Sequence, residues 1–265
     1  MMYKLVTMYK LVTMYKLVTM YKLVTMYKLI LLTLTFGHTY SIKPKYYYDS
    51  RIHNFGNIGL GGHVHSLLAP YATSLIDNKC YNSINIRQYI LSKYSQDFYK
   101  NHERLPKLID LCCGTGTSTA TNQLGIDSSL PMITQAKKIH NNKQAIKTQF
   151  IIGNAENYGQ EDEFDTATLM FAFHEMPNYA HHKIIKNAKK ITKHDIIIVD
   201  ISPNYSPSKL MLIGEPYLLN YKATIHELLT QHKFKYLEYI PNHVGLWVYS
   251  HKNNHICLIN NLYHK

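Results

Sequence analysis

The chain has 265 residues, 46% of them hydrophobic and 17% charged, with 12 Gly and 9 Pro. This composition excludes a disordered or collagen-like chain, and the length is enough for one large domain or two small ones with a proper core. Four cysteines do not make a disulfide framework. The net charge of +12 is unevenly spread: residues 1–48 hold seven lysines and no acid, while residues 49–265 hold 22 Lys and Arg against 17 Asp and Glu. The folded part is therefore only mildly basic, which weighs against a nucleic-acid partner.

From Met2 to Thr25 the hexapeptide MYKLVT occurs four times without variation. A six-residue period gives no continuous helical face and the tract has no turn or cap residues, so 1–25 is expected to be unstructured. Residues 26–41 then show a short basic start at Lys28, an apolar stretch from Leu29 to Phe36, and small or polar residues up to Ser41. That is the layout of a signal or targeting segment cleaved near residue 41, and the apolar stretch is too short to span a membrane. The expected destination is the secretory pathway or an organelle, or the cytoplasm if the leader does not function. No later segment has transmembrane length.

Residues 42–104 are expected to form an N-terminal helical and loop extension, rich in Tyr and His between Tyr46 and His65, with a helix over 84–99. From residue 105 the pattern changes. Short apolar runs occur at 107–113, 124–126, 149–152, 165–173, 195–201, 234–240 and 244–250, with helical stretches such as 129–139 and 179–190 between the early ones. This alternation predicts an α/β fold with a doubly wound, mostly parallel, seven-stranded Rossmann-like sheet. The last two runs have no helix between them and are expected to form an antiparallel pair.

The first run carries Asp110 into Cys112, Gly114 and Gly116, after which a helix capped by Thr117 or Ser118 is expected. Glycines at a strand end allow a sharp turn and close approach of a ligand to the backbone. A dinucleotide fingerprint would place a third glycine where Thr119 stands. Asp127, at the end of the second run, is placed to accept hydrogen bonds from two ribose hydroxyls, or else to cap the helix that follows.

These residues resemble the class I S-adenosylmethionine-dependent methyltransferases over about 105–250, with 105–265 as the expected core. DLCCGTGT resembles their first motif, with Cys112 where Gly is commonest; GIDSSLPMITQAKK the second; GNAEN the third, with Asn154 in place of Asp; and EDEFDTATLMFAFHEMP the fourth. The resemblance implies S-adenosyl-L-methionine as cofactor. It implies Asp110 on the methionine amino group, directly or through water, with Gly114 and Gly116 flanking the methionyl and ribose portion, Cys112 and Phe171 also binding the cofactor, and the strand end from Phe171 to Pro177 facing the reacting groups. Asp127 would hold the ribose, and Ser128, Asn154 and Ala155 the adenine. It places His174 and Glu175 facing the acceptor, His174 either as general base or as a packing residue and Glu175 as a capping or orienting group. HEMP is neither a zinc-protease motif nor the Asn/Asp-Pro-Pro-aromatic motif of base methylation. The expected acceptor is a small molecule. RNA methylation and a catalytically inactive binding fold are the alternatives. Tyr46 to His65 as a lid and Ser202 to Tyr221, with Tyr205, Glu215, Tyr217 and Tyr221, are expected to shape the acceptor pocket.

Overall fold

The computed structural model describes residues 45–141 and 148–251. The repeat and the targeting segment lie outside them. Seven strands form one sheet in the order β3-β2-β1-β4-β5-β7-β6. They are β1 (Leu108–Leu111), β2 (Leu124–Asp127), β3 (Gln149–Ile152), β4 (Phe164–Met170), β5 (Thr192–Ile201), β6 (Lys235–Ile240) and β7 (Val244–Ser250). The first five are mutually parallel, and β7 runs antiparallel between β5 and β6. The predicted sheet and its C-terminal antiparallel pair are both present.

Six helices accompany the sheet among the described residues: α1 (Gly59–Cys80), α2 (Ile86–His102), α3 (Leu130–His140), α4 (Asn178–Ile191), α5 (Lys209–Gly214) and α6 (Leu218–Gln231). On one face, Ala180, Ile184, Ala188 and Ile191 of α4 and Leu218, Tyr221, Ile225 and Leu229 of α6 pack on Ile109, Leu111, Ala167 and Ile198. Their three- and four-residue spacing turns one helical stripe toward the strands. On the other face, Ile90, Leu91, Tyr94 and Phe98 of α2 cover Leu108, Met170 and Val199. There α3 sets Ile133 and Ala136 against Phe150 and Cys113. Asn85 caps α2 by accepting from the Gln88 N–H, and Ser129 caps α3 by accepting from the Met132 N–H.

Three expectations change. The extension holds two helices, because α1 occupies a stretch where glycines and Pro70 hid the helical period. The strand expected over 107–113 stops at Leu111, and the one expected over 165–173 stops at Met170, because Cys112 (φ 61°) and Phe171 (φ 56°) take left-handed backbone. No helix follows the glycine loop: residues 112–123 form turns. A parallel crossover that includes a helix needs at least about 10–12 residues, and here the loop itself uses most of the connection. A groove of about 730 Å³ beside the loop is lined by Asp77, Asn85, Gln88, Gly116, Thr119 and His140 among others.

Candidate active site

The glycine loop is gripped at both ends by carboxylates from neighbouring strands. Asp110 pairs in register with Gly125, and Asp127 follows two residues on, so both aspartates lie on the same sheet face. Asp127 accepts from the Gly114 N–H at 2.9 Å and from the Ser129 N–H at 2.8 Å. Asp110 accepts from the hydroxyls of Thr119 at 2.7 Å, Ser118 at 2.9 Å and Thr168 at 3.2 Å. Among the described residues neither aspartate has a cationic partner. Burial pushes Asp110 up to about 6, against the pull of those hydroxyls and with the Asp127 charge adding to the rise. Burial likewise raises Asp127 to about 6, while the Ser129 and Gly114 N–H groups pull it back.

Asp110 is 0% exposed, and the three hydroxyls that surround it tie the loop to β1 and β4. Gly116 (φ 79°) is required for packing: a Cβ there would meet the Phe150 ring at 2.7 Å and His140 Nε2 at 3.0 Å. Gly114 (φ 53°) differs, since a Cβ at that position would meet nothing within 4 Å. The open side of the loop is therefore at Gly114, next to half-buried Cys112, Asp127 and Ser128.

Asn154 sits beyond β3 and accepts from the Glu156 N–H at 2.9 Å through its side-chain oxygen. That contact leaves the oxygen's second lone pair for another donor. Buried Ala155 has its carbonyl held by Asn187 at 3.0 Å. Phe171, half-buried, lies with its ring centroid 4.2 Å from the Arg87 guanidinium, on the α2 side of the sheet.

After β4 the chain makes a single turn, Phe173–Glu175. His174 is buried there, and its Nδ1 donates to Asp200 at 2.6 Å. The same carboxylate accepts from the Phe173 N–H at 2.8 Å and the Ile201 N–H at 2.7 Å. Burial opposes the charged imidazole, but Asp200 outweighs it and lifts His174 to about 9. A ring that keeps its proton at neutral pH is a poor base, and the buried contact with Asp200 weighs toward the packing role among the two read for His174.

Glu175 faces the N-terminal extension. His53 has left-handed backbone (φ 49°); its Nε2 meets Glu175 Oε1 and its Nδ1 meets Glu215 Oε1, both at 2.8 Å. Burial works against the His53 charge, and the two carboxylates overcome it and hold the ring protonated. Against its own burial, Glu175 is pulled below the usual carboxylate range by His53. Its charge in turn contributes to the raised values of Asp127 and Cys112, so the His53 cluster lies within electrostatic reach of the glycine loop. Further contacts tie the extension to the rest of the fold. Ser129 Oγ also donates to the Asn57 carbonyl, and Tyr217 donates to Asp49 at 3.0 Å. Of the other pocket candidates, Tyr221 is fully buried with its hydroxyl on the Ile201 carbonyl, and Tyr205 stacks on His243. His53 and Asp200 were not singled out in the sequence. The cue to His53 is its place in the Tyr- and His-rich segment expected as a lid, and that to Asp200 is its place near the end of the apolar run 195–201.

Residues 108–195 match the model of the methyltransferase domain family. That match runs from β1 into the start of β5. Among solved structures, the chain resembles the PH0226 protein from Pyrococcus horikoshii OT3, at 19% identity and a TM-score of 0.47, covering 68% of this chain and 98% of that one. It also resembles magnesium protoporphyrin IX methyltransferase from Synechocystis PCC 6803 with bound S-adenosylmethionine, at 14% identity and a TM-score of 0.45, covering 63% and 79%. A third likeness is to the plantazolicin methyltransferase BpumL, at 17% identity and a TM-score of 0.46, covering 70% and 92%. At these identities and scores the likenesses carry no inference about chemistry. A comparison with curated proteins gives no match. No helix among the described residues is long and apolar enough to cross a membrane.

Proposed function

We propose that the protein transfers the methyl group of S-adenosylmethionine to a small-molecule acceptor by in-line displacement. The observation that carries this is the open side of the loop at Gly114, bounded by the uncompensated carboxylate of Asp127. A backbone cradle with free space at its glycine and an acceptor-only group at the next strand end suits a ribose and its attached sulfonium. In this reading Asp127 holds the ribose hydroxyls, Ser128, Asn154 and Ala155 hold the adenine, and Cys112, Gly114 and Phe171 surround the methionyl portion. Asp110 and Gly116 act by keeping the loop in place.

The bound cofactor supplies an electrophilic methyl carbon. The chain aligns the acceptor and excludes water, which can account for about 7–11 kcal/mol of a bimolecular barrier. The 45–57 cover and the His53 contacts serve that exclusion, and His174 on Asp200 fixes the turn that carries Glu175. Isothermal calorimetry with S-adenosylmethionine, followed by transfer of a labelled methyl group into a small-molecule extract, tests the reading. Absence of cofactor binding overturns it. We also propose that residues 26–41 direct the chain to the secretory pathway or an organelle, and N-terminal sequencing of the mature protein from its cells tests that.

A further inference from the structure

The extension and the segment after β5 are far apart in sequence, and they meet in a single string of side chains. Glu215 follows α5, and its side chain is only 5% exposed. Its Oε1 takes the His53 Nδ1–H, but Oε2 is buried with no hydrogen-bond partner. A buried carboxylate oxygen without a donor is uncommon, and a ligand or a water supplies the donor such an atom needs. The chain is built to bring the two segments together: a Cβ on Gly214 would meet Asn54 Nδ2 at 2.8 Å and His53 Cα at 3.6 Å.

We infer that Glu215 Oε2 receives the proton-bearing nucleophile of the methyl acceptor, with His53 and Glu175 fixing its position, and that this nucleophile is a hydroxyl or an amine. The inference rests on the methyltransferase reading above. Two carboxylates around one imidazolium leave the cluster with excess negative charge, which repels a carboxylate or phosphate acceptor and suits a neutral or cationic donor. His174 is already held by Asp200, so it does not compete for the proton. In the reaction the lone pair of the acceptor oxygen or nitrogen forms the new bond to the methyl carbon. The carbon–sulfur pair returns to sulfur, and the acceptor's proton passes to Glu215 Oε2. His53 keeps both of its protons and acts as a positioning residue.

The test uses methyl-labelled S-adenosylmethionine, the full chain and a small-molecule extract of the cells that make it. Glu215→Gln should lower methyl transfer by about 100-fold or more, the scale of a lost general base, with the cofactor Kd unchanged within twofold. His53→Gln should lower the transfer rate by about tenfold through misplacement, again without weakening cofactor binding, and this covers the case in which Glu215→Gln fails to fold. The labelled product should survive mild alkali, as methyl ethers and methylamines do. Release of labelled methanol would reveal a methyl ester and overturn the inference, as would a Glu215→Gln rate within threefold of wild type. If the wild type binds no cofactor or transfers no label, the methyltransferase reading itself fails, and this inference with it.

Discussion

Asp165 at one edge of the sheet and the Asp110–Asp127 pair at the other are treated in opposite ways. At the amino edge, Asp165 accepts from Arg104 at 2.6 and 2.8 Å and from the Lys107 N–H at 2.7 Å. Against the effect of burial, those partners hold its carboxyl below the usual carboxylate range. At the carboxyl edge, Asp110 and Asp127 have only hydroxyl and backbone donors, and both are raised to about 6. The left-handed residues Cys112, Gly114, Gly116 and Phe171 also gather there. Asp165 is neutralised by a cation and serves stability, while Asp110 and Asp127 keep uncompensated charge beside strained backbone, a combination that folds tolerate at functional sites.

The largest expected effect tests the carboxyl edge. Asp127→Ala removes the acceptor for two ribose hydroxyls, and at about 1.5–3 kcal/mol per charged hydrogen bond the cofactor Kd should rise at least tenfold. Calorimetry measures this, and an unchanged Kd would remove Asp127 from the site. Next comes Arg104→Ala, which strips Asp165 of its cation. Because Arg104 is about half exposed, the loss of stability should be smaller than for a fully buried pair. It should appear in a denaturant melt with cofactor affinity unchanged.

The two loop glycines should separate. Gly116→Ala forces a Cβ against Phe150 as well as an unfavourable φ, and should destabilise the protein by about 1–3 kcal/mol. Gly114→Ala adds a methyl to open space and should cost mainly the left-handed penalty, about 1–2 kcal/mol, while weakening cofactor binding. Equal melting shifts for the two would count against the proposed division between packing and ligand sides.

The smallest effect depends on pH. Asp127 must be ionised to accept from two hydroxyls, and its carboxyl titrates at about 6. Binding is therefore near full strength from about pH 7 upward and weakens as pH falls through about 6. At pH 5 the Kd should be about tenfold higher than at pH 7.5. A Kd independent of pH over that range would show that Asp127 does not bind the cofactor as a carboxylate.

Much of the sheet was legible in the sequence because strand-length apolar runs and the four motifs lie in chain order and depend on local patterning. Asp110 and Asp127 could be picked out because both stand at strand ends beside a glycine loop. What Asp110 does could not, since Thr168, one of its three partners, lies 58 residues away. Glu215 stood among several pocket candidates, and nothing local distinguished it from Tyr205 or Tyr221, which turned out to pack elsewhere.

The sequence alone determined the periodicities and the loop chemistry, because strand alternation, glycine conformation and the types of group available are properties of neighbouring residues. Only the tertiary structure decided that His53 joins Glu175, 122 residues away, to Glu215, and that one carboxylate oxygen there is left without a donor. Such pairings depend on how the extension crosses the sheet edge, and no local pattern encodes that path.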